Sequence, residues 1–322
     1  MPRVLISGSV DDAGMAVLRA RPGLIIEEMA SSRPEDFLAR LPDADALLLR
    51  IAFLPGEAIV NARRLKVVSR YGVGYDNVPL DVLTARGVPV TVVGPVHTDT
   101  VAEHAFFLMI ALAKAGLRQD TAMRAGNWAI RAAPLAVDLA GKTLLIIGFG
   151  RIGRSLAKRA SVFGMRIVAH DPFVPVADMA ALGVDKVDDW RAALGDADFV
   201  SLHAPRLPDT ERMIGAAELA AMKPSAFIVN TSRGGLIDER ALVVALAAGR
   251  IAGAGIDVFE EEPPRRDNPL FASDRVILSP HVAGLTREAN ARIAITAAEN
   301  ILAALDGRLN PDLVVNKSVL TK

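Results

Sequence analysis

The sequence predicts an α/β fold with two parallel β-sheets, each covered by helices. Short runs of β-branched and aliphatic residues alternate with longer segments of helical periodicity along the chain, which is typical of parallel sheets. The chain has 322 residues and is 51% apolar, which suffices for two cores. A complete second series of strands begins in mid-chain, so the first hundred residues are expected to form a separate unit.

The first unit is predicted to alternate strands and helices up to about residue 97. Its predicted strands are Val4–Ile6, Ala46–Leu49, Lys66–Ser69 and Val90–Val92. The segments Asp11–Ala20 and Pro79–Ala85 are predicted helices between these strands. A long helix is expected to follow from Asp99 or Thr100, with Glu103 in its first turn.

The second unit is predicted to be a doubly wound sheet, the architecture of Rossmann-like domains. Its predicted strands are Thr143–Ile147, Arg166–Ala169, Ala197–Ser201, Ala226–Asn230, Gly253–Asp257 and Arg275–Leu278. A last helix is predicted at about Thr286–Leu305, and the pattern alone allows it to pack on either unit.

Charge and composition exclude several classes of partner. Lys plus Arg and Asp plus Glu are 37 each, so no net field favours nucleic acid or an anionic membrane. The absence of cysteine excludes disulfides, thiol nucleophiles and thiolate metal sites, and no metal site is expected. The apolar helix candidate Ala105–Ala113 is shorter than the roughly 20 residues that span a bilayer. We expect a cytoplasmic protein.

The segment Gly148-Phe149-Gly150-Arg151-Ile152-Gly153 has the spacing of a dinucleotide-binding loop. A buried-strand run, Leu144–Ile147, precedes it, and an apolar stripe at helical spacing follows it. In such a loop the first glycine permits a tight turn, the second lets the backbone approach a pyrophosphate, and the third lets the helix pack closely on the strand. The free N–H groups of the helix N-terminus would face the phosphates.

Asp171 ends the next predicted strand, 18 residues after the loop. An acidic side chain there accepts hydrogen bonds from the adenosine ribose hydroxyls and repels a 2′-phosphate, which favours NAD(H) over NADP(H). The simpler alternative is that Asp171 caps a turn before Pro172.

Three further segments each end a predicted strand of the second unit: Asn230–Gly235, Asp257–Pro263 and Ser279–His281. Ligands sit outside the carboxyl ends of parallel strands, so these segments are expected to converge on the cofactor. Arg233 offers a bidentate fork for a carboxylate, and His281 is suited to exchange a hydroxyl proton. Taken singly, Arg233 also fits a surface residue, Glu260-Glu261-Glu262 fits an acidic turn, and His281 fits a structural histidine. Their joint occurrence favours oxidation of a hydroxy acid.

These motifs resemble the D-isomer-specific 2-hydroxyacid dehydrogenase family. The resemblance is carried by the glycine loop and by Thr231-Ser232-Arg233-Gly234-Gly235, Asp257-Val258-Phe259, Glu262-Pro263, Ser279-Pro280-His281 and Ser69–Val78. It implies that Arg233 holds the substrate carboxylate, that His281 is the acid/base, and that Glu262 is its partner. The residues predicted to bind NAD are Gly148, Gly150, Arg151, Ile152, Gly153, Asp171, Ala204, Pro205, Thr231, Ser232 and Asp257.

The resemblance also implies domain organisation and assembly. The substrate domain would comprise residues 1–97 and 286–322, with the NAD-binding domain, 98–285, inserted between them. Asp257 would bind the nicotinamide carboxamide, and the backbone of Gly72, Val73 and Gly74 would donate to the substrate. A homodimer is implied, through the predicted helix Asp99–Gly126 and the segment Asn127-Trp128.

Within the family, Arg50 and Arg70 resemble the phosphate-gripping arginines of D-3-phosphoglycerate dehydrogenases. Those enzymes usually continue with a Ser-x-Thr-Lys pattern, whereas Arg50 is followed by apolar Ile51-Ala52-Phe53-Leu54. A substrate with an uncharged tail, such as hydroxypyruvate or glyoxylate, therefore fits the sequence equally well. The fold also occurs in NADP-dependent reductases, which would need basic residues near position 171, and in non-enzymatic NAD(H)-dependent regulators that resemble corepressors.

Overall fold

The computed structural model describes residues 1–321, and the chain divides into two compact units. Unit 1 comprises Met1–His97 and the segment from Thr286 onward, and unit 2 comprises Thr98–Leu285. Each unit holds one β-sheet flanked by helices, and all the paired strands within the two sheets are parallel. The predicted α/β class with two Rossmann-like domains is confirmed.

Unit 1 contains a five-stranded sheet with the order β2-β1-β3-β4-β5. Its strands are β1 (Arg3–Ser7), β2 (Ile25–Glu28), β3 (Ala46–Leu49), β4 (Val67–Arg70) and β5 (Val90–Thr91). Its helices are α1 (Asp12–Arg19), α2 (Pro34–Arg40), α3 (Gly56–Asn61), α4 (Leu80–Ala85) and α11 (Arg287–Leu305). Because successive strand residues point to opposite faces, Val4 packs under α1 and α11, while Leu5 packs under α2, α3 and α4.

The last helix, α11, packs within unit 1. The Thr286 hydroxyl caps its N-terminus by accepting from the Ala289 N–H at 3.1 Å, and Ile293 and Ile301 are buried against the sheet. The apolar stripe of this helix therefore completes the core of a unit whose first segment ends at His97, nearly 200 positions earlier.

Unit 2 contains a seven-stranded sheet with the order β12-β11-β10-β9-β6-β7-β8. Its strands are β6 (Thr143–Ile147), β7 (Arg166–His170), β8 (Asp185–Lys186), β9 (Phe199–Leu202), β10 (Phe227–Asn230), β11 (Gly253–Ile256) and β12 (Val276–Leu278). Its helices are α5 (Thr98–Ala113), α6 (Gly116–Arg124), α7 (Arg151–Val162), α8 (Val176–Ala180), α9 (Ala216–Ala221) and α10 (Glu239–Ala247). The strand order reverses between β6 and β9, which creates the crevice where doubly wound sheets bind ligands.

The prediction of a single helix from Asp99 to Gly126 is wrong, because two helices occupy this segment. Ala115 takes a left-handed conformation with φ of 50°, which ends α5, and α6 continues at an angle of 60°. Within residues 1–321, no single helix is long and apolar enough to cross a membrane, and only this bent pair meets the length and composition required when taken together.

Candidate active site

The glycine loop connects β6 to α7 at the point where the strand order reverses. Gly148 has φ of +93°, and a Cβ atom there would lie 2.6 Å from the His203 carbonyl carbon, so the loop passes tightly against the end of β9. A Cβ on Gly153 would lie 2.4 Å from the Gly148 carbonyl oxygen, which explains how α7 starts so close to its strand. A Cβ on Gly150 would instead point into open space before the helix N-terminus. That space is where a pyrophosphate would approach the backbone.

Asp171 lies beside the glycine loop, at the end of β7. Its Oδ2 atom accepts from the Phe149 N–H at 2.9 Å, and Oδ1 accepts from the Phe173 N–H at 2.9 Å. Asp171 therefore caps the turn that follows β7, and it also lies where a residue that recognises the ribose is expected. Exposed Arg151 and half-buried Ile152 begin α7 immediately after Gly150.

The residues of this crevice fit a bound dinucleotide. The Thr231 hydroxyl is buried and has no hydrogen-bond partner within residues 1–321, and the same holds for His203 Nδ1. The Ser232 hydroxyl donates to the Ala204 carbonyl at 2.6 Å, and Pro205 is exposed beside it. Two orphaned polar atoms at neighbouring strand ends indicate groups that a polar ligand would satisfy.

Burial lowers the pKa of His203 to about 4, and its Nε2 atom lies 2.9 Å from the Ser201 hydroxyl. The imidazole is therefore neutral at physiological pH.

Three neighbouring strands end in register and bring the remaining predicted residues together. Asn230 pairs with Ile256, and Ile256 pairs with Leu278, so the segments after β10, β11 and β12 leave the sheet side by side. These segments carry Arg233, Glu262 and His281.

Glu262 links this trio. Its Oε2 atom lies 2.7 Å from His281 Nδ1, and its Oε1 atom accepts from the Phe259 N–H at 3.0 Å. Burial alone would raise the pKa of Glu262, but the His281 hydrogen bond and charge, the Phe259 N–H and the charge of Arg233 together lower it. Glu262 is therefore ionised at neutral pH, and His281 Nδ1 donates to it, which leaves Nε2 as the imidazole atom that can exchange a proton.

Gly234 permits the close approach of the Arg233 segment to the Glu262 segment. A Cβ atom at Gly234 would lie 1.6 Å from the Phe259 carbonyl oxygen, so no other residue fits without moving one of the two loops. The Arg233 guanidinium donates to the Ser232 carbonyl at 2.7 Å, which holds it at this edge of the sheet.

Asp257 has different contacts from those expected. Its side chain is fully buried, and its carboxylate accepts from the Ser279 hydroxyl at 2.6 Å and from the Val282 and Ala283 N–H groups at 2.9 Å each. The carboxylate therefore holds the loop that carries His281. Its contact with a nicotinamide carboxamide stays a prediction.

The predicted substrate-binding residues of unit 1 lie at the carboxyl edge of its sheet. Arg50 donates to the Ser9 hydroxyl at 2.9 Å, and its guanidinium lies over the Tyr71 ring. Arg70 donates to the Asn77 side chain at 3.1 Å and to the Tyr71 carbonyl at 2.8 Å. Both arginines thus have protein acceptors.

In the neighbouring glycine segment, the Gly72 N–H donates to the Arg70 carbonyl at 2.9 Å. The prediction that this segment offers backbone donors to a substrate therefore rests on Val73 and Gly74.

Sequence reasoning missed two polar contacts that support the site. His104 on α5 lies 2.9 Å from the Ser279 hydroxyl, through its Nε2 atom, and the Phe149 N–H binds Asp171 as described above. The signal for His104 was its position as a polar residue at the start of an otherwise apolar helical run.

Comparison with known proteins identifies the family. The NAD-binding domain model of the D-isomer specific 2-hydroxyacid dehydrogenases matches residues 106–283. A glyoxylate reductase of Thermococcus litoralis is 38% identical over an alignment of 328 positions, which covers 99% of this chain and 98% of that protein. The chloroplastic D-3-phosphoglycerate dehydrogenase 2 of Arabidopsis thaliana is 38% identical over 97% of this chain, but the match spans only 50% of that longer protein. The crystal structure of the TT0316 protein from Thermus thermophilus has a TM-score of 0.90 at 35% identity, and the match covers 97% of this chain and 99% of that one.

The chain therefore belongs to the D-isomer specific 2-hydroxyacid dehydrogenase family. The predicted family, the predicted NAD cofactor and the predicted class, an NAD-dependent oxidoreductase acting on 2-hydroxy acids, are confirmed.

Proposed function

We propose that this protein interconverts a small 2-hydroxy acid with an uncharged tail and its 2-oxo acid, with glyoxylate or hydroxypyruvate as the acid that is reduced. The observation that carries the proposal is the 2.7 Å contact between His281 Nδ1 and Glu262, with Arg233 held at the same strand-end edge. A general acid/base and a carboxylate fork beside a dinucleotide crevice are the groups that this reaction requires.

The chemistry follows from the residues present. The glycine loop and Asp171 would hold NAD(H), which would supply or accept a hydride at C2 of the acid. Arg233 binds the substrate carboxylate through two parallel hydrogen bonds, which fixes the orientation of C2. In the oxidation direction His281 Nε2 takes the hydroxyl proton, and Glu262 stabilises the imidazolium that results. In the reduction direction the same nitrogen returns the proton to the carbonyl oxygen.

The proposal of an uncharged substrate tail rests on the loop after β3. Ile51 and Phe53 are 78% and 74% exposed, so the residues that follow Arg50 present apolar rather than anion-binding side chains. Arg50 and Arg70 already have acceptors in Ser9 and Asn77, which lowers their availability to a phosphate.

D-3-phosphoglycerate is the second candidate substrate, because one observation favours it. The strand order of unit 1 reverses between β1 and β3, and Arg50 follows β3 at that point, where doubly wound sheets bind ligands. Exchange of the Ser9 hydroxyl for a phosphate oxygen would strengthen the hydrogen bond of Arg50, because the new acceptor is charged.

The test is a panel of 2-oxo acids, glyoxylate, hydroxypyruvate, pyruvate and 3-phosphohydroxypyruvate, each measured with NADH and with NADPH. We expect NADH oxidation with glyoxylate or hydroxypyruvate, and a His281→Ala variant that loses roughly 10²- to 10⁴-fold in kcat. A strong preference for 3-phosphohydroxypyruvate would establish the second candidate. No turnover with any acid would refute the enzymatic proposal and favour an NAD(H)-dependent regulator.

We also propose a homodimer that forms through α6 and the segment after it. None of the residues of α6 is buried, and Leu117, Met123 and Trp128 are 53%, 47% and 63% exposed. A second copy of the chain would cover these apolar side chains. Sedimentation of the wild-type protein tests this directly, and a monomer at micromolar concentration would contradict it.

A further inference from the structure

A chain of three polar side chains, which the catalytic trio does not include, supports the loop that carries His281. His104 Nε2 lies 2.9 Å from the Ser279 hydroxyl oxygen, and that hydroxyl lies 2.6 Å from Asp257 Oδ1. His104 belongs to α5, whereas the other two residues follow β12 and β11. The three residues therefore join a helix to two strand ends.

The direction of the hydrogen bonds follows from what each group can donate. The Asp257 carboxylate receives the Val282 and Ala283 N–H groups, and an ionised carboxylate can only accept. The single proton of the Ser279 hydroxyl therefore points to Asp257. The same hydroxyl must then accept from His104, so His104 Nε2 carries a proton.

The backbone of His281 needs this support. It has φ of 52°, a left-handed conformation that a residue other than glycine keeps only when its surroundings impose it. The Asp257 carboxylate binds the loop on both sides of His281, through Ser279 before it and through Val282 and Ala283 after it. The His281 N–H also donates to the Asp257 carbonyl at 2.7 Å.

The helix that carries His104 packs closely on the sheet, which fixes the position of His104 relative to the strand ends. A Cβ atom on Gly255, in β11, would lie 2.9 Å from the Leu108 Cβ, so the glycine brings α5 directly onto the strand that leads to Asp257. The His104 side chain is only 20% exposed and its ring packs against Phe107.

We propose that His104 is a positioning residue for the acid/base His281, and that it acts through Ser279 and Asp257. Loss of the His104 donor frees the Ser279 hydroxyl to rotate away from Asp257, and the loop then loses one of its contacts with the carboxylate. The His281 imidazole consequently spends less time in the orientation that exchanges a proton. His104 is not among the residues predicted to bind the acid or NAD(H), so we expect the effect to fall on kcat. This inference rests on the proposed dehydrogenase function.

The kinetic test compares two substitutions at the same position. His104→Phe keeps an aromatic ring and removes the donor, and His104→Gln keeps an N–H donor of similar reach. We expect the phenylalanine variant to lose about 5- to 10-fold in kcat, which corresponds to the roughly 1 kcal/mol of one hydrogen bond, with KM for NADH and for the acid within about twofold. The glutamine variant should recover most of that loss. Glu103→Gln, an exposed change on the same helix, is the matched control and should leave kcat unchanged.

A double variant tests the route of the effect. Because His104 acts through Ser279, His104→Phe combined with Ser279→Ala should lose no more kcat than Ser279→Ala alone. Losses that multiply would overturn the proposed route. Equal loss in His104→Phe and His104→Gln, or a loss confined to KM, would overturn the positioning role.

An NMR measurement, which requires no turnover, tests this inference independently of the proposed function. Nitrogen-15 NMR of the imidazoles in the wild-type protein should show His104 protonated on Nε2 and His281 protonated on Nδ1, with the His281 signals changed in His104→Phe and restored in His104→Gln. An inactive wild-type protein with these tautomers would refute the function and leave the network intact. A His104 imidazole protonated on Nδ1 alone would refute the network, whatever the activity.

Discussion

Replacement of Glu262 by glutamine should reverse the tautomer of His281. In the wild-type protein Oε1 accepts from the Phe259 N–H and Oε2 accepts from His281 Nδ1. A glutamine at this position would keep its oxygen on the Phe259 N–H, because that group can only donate. Its NH₂ group would then face His281 Nδ1 and could pair only with an unprotonated nitrogen. The imidazole proton would move to Nε2, and the base would lose its free electron pair.

The size of the effect follows from the two hydrogen bonds involved. To restore the competent tautomer, the amide must rotate and forgo the Phe259 N–H, at a cost of about 1 kcal/mol. The new hydrogen bond to His281 is neutral rather than charge-assisted, which costs about 1 to 2 kcal/mol more. Since Glu262 and His281 are 36% and 51% exposed, the lower part of this range applies. A total of roughly 2 to 2.5 kcal/mol corresponds to a loss of about 30- to 70-fold in kcat for oxidation of the hydroxy acid.

The assay is steady-state reduction of NAD by the hydroxy acid that the panel above identifies, followed through the absorbance of NADH. Glu261→Gln is the matched control, because it removes the same charge from the neighbouring, exposed position. We expect that control to stay within about twofold of the wild type. Activity of Glu262→Gln within threefold of the wild type, or an equal loss in both variants, would refute the reasoning.

Three further perturbations test other parts of unit 2. Gly234→Ala should lose about 10²-fold in kcat/KM, because its Cβ would meet the Phe259 carbonyl oxygen at 1.6 Å and shift the Arg233 loop; near wild-type kinetics would contradict this. Asp171→Asn should shift the NADPH to NADH preference by about fivefold or more toward NADPH, since roughly 1 kcal/mol of charge repulsion is removed; an unchanged ratio of kcat/KM values counts against the assignment. Burial lowers the pKa of His203 to about 4, so the unfolded chain takes up a proton at this residue between about pH 6.5 and 4 while the folded chain does not. Stability should fall over that window as the pH is lowered, by up to roughly 3 kcal/mol, and urea unfolding of His203→Gln should lack this component.

The predicted strands match the structure where both faces of a strand are buried. Ala46–Leu49 and Thr143–Ile147 were predicted with the observed bounds, because a run of aliphatic residues marks a central strand of a parallel sheet. The edge strands β2 and β8 were missed. Each is short and partly exposed, with acidic or basic residues that leave no apolar run to recognise.

The break at Ala115 was missed for a different reason. The residues before and after it both favour helix, and neither glycine nor proline occupies the left-handed position itself. Gly116, which follows, becomes the first residue of α6. A local pattern therefore gave no sign that the chain turns by 60° at this point.

The placement of Arg233, Glu262 and His281 could be predicted because parallel topology imposes it. Once Asn230, Ile256 and Leu278 end adjacent strands in register, the residues just beyond them must lie together, whatever their identity. No comparable rule predicts which side chains of a helix will contact the end of a strand. His104 lies 175 positions before Ser279, and their contact depends on how closely α5 approaches β11. That close approach is possible because residue 255 is glycine.

The left-handed conformation of His281 is stabilised by contacts with the end of the neighbouring strand β11. A left-handed histidine costs on the order of 1 to 3 kcal/mol, and nothing in the sequence Ser279-Pro280-His281 favours it locally. The fully buried Asp257 carboxylate offsets that cost, since each of its three hydrogen bonds to the loop involves a charged acceptor and contributes roughly 1.5 kcal/mol or more. The strain is therefore maintained by a residue that need not touch the substrate. A change at Asp257 should consequently impair the His281 orientation even in a protein whose sheet and cofactor loop remain folded.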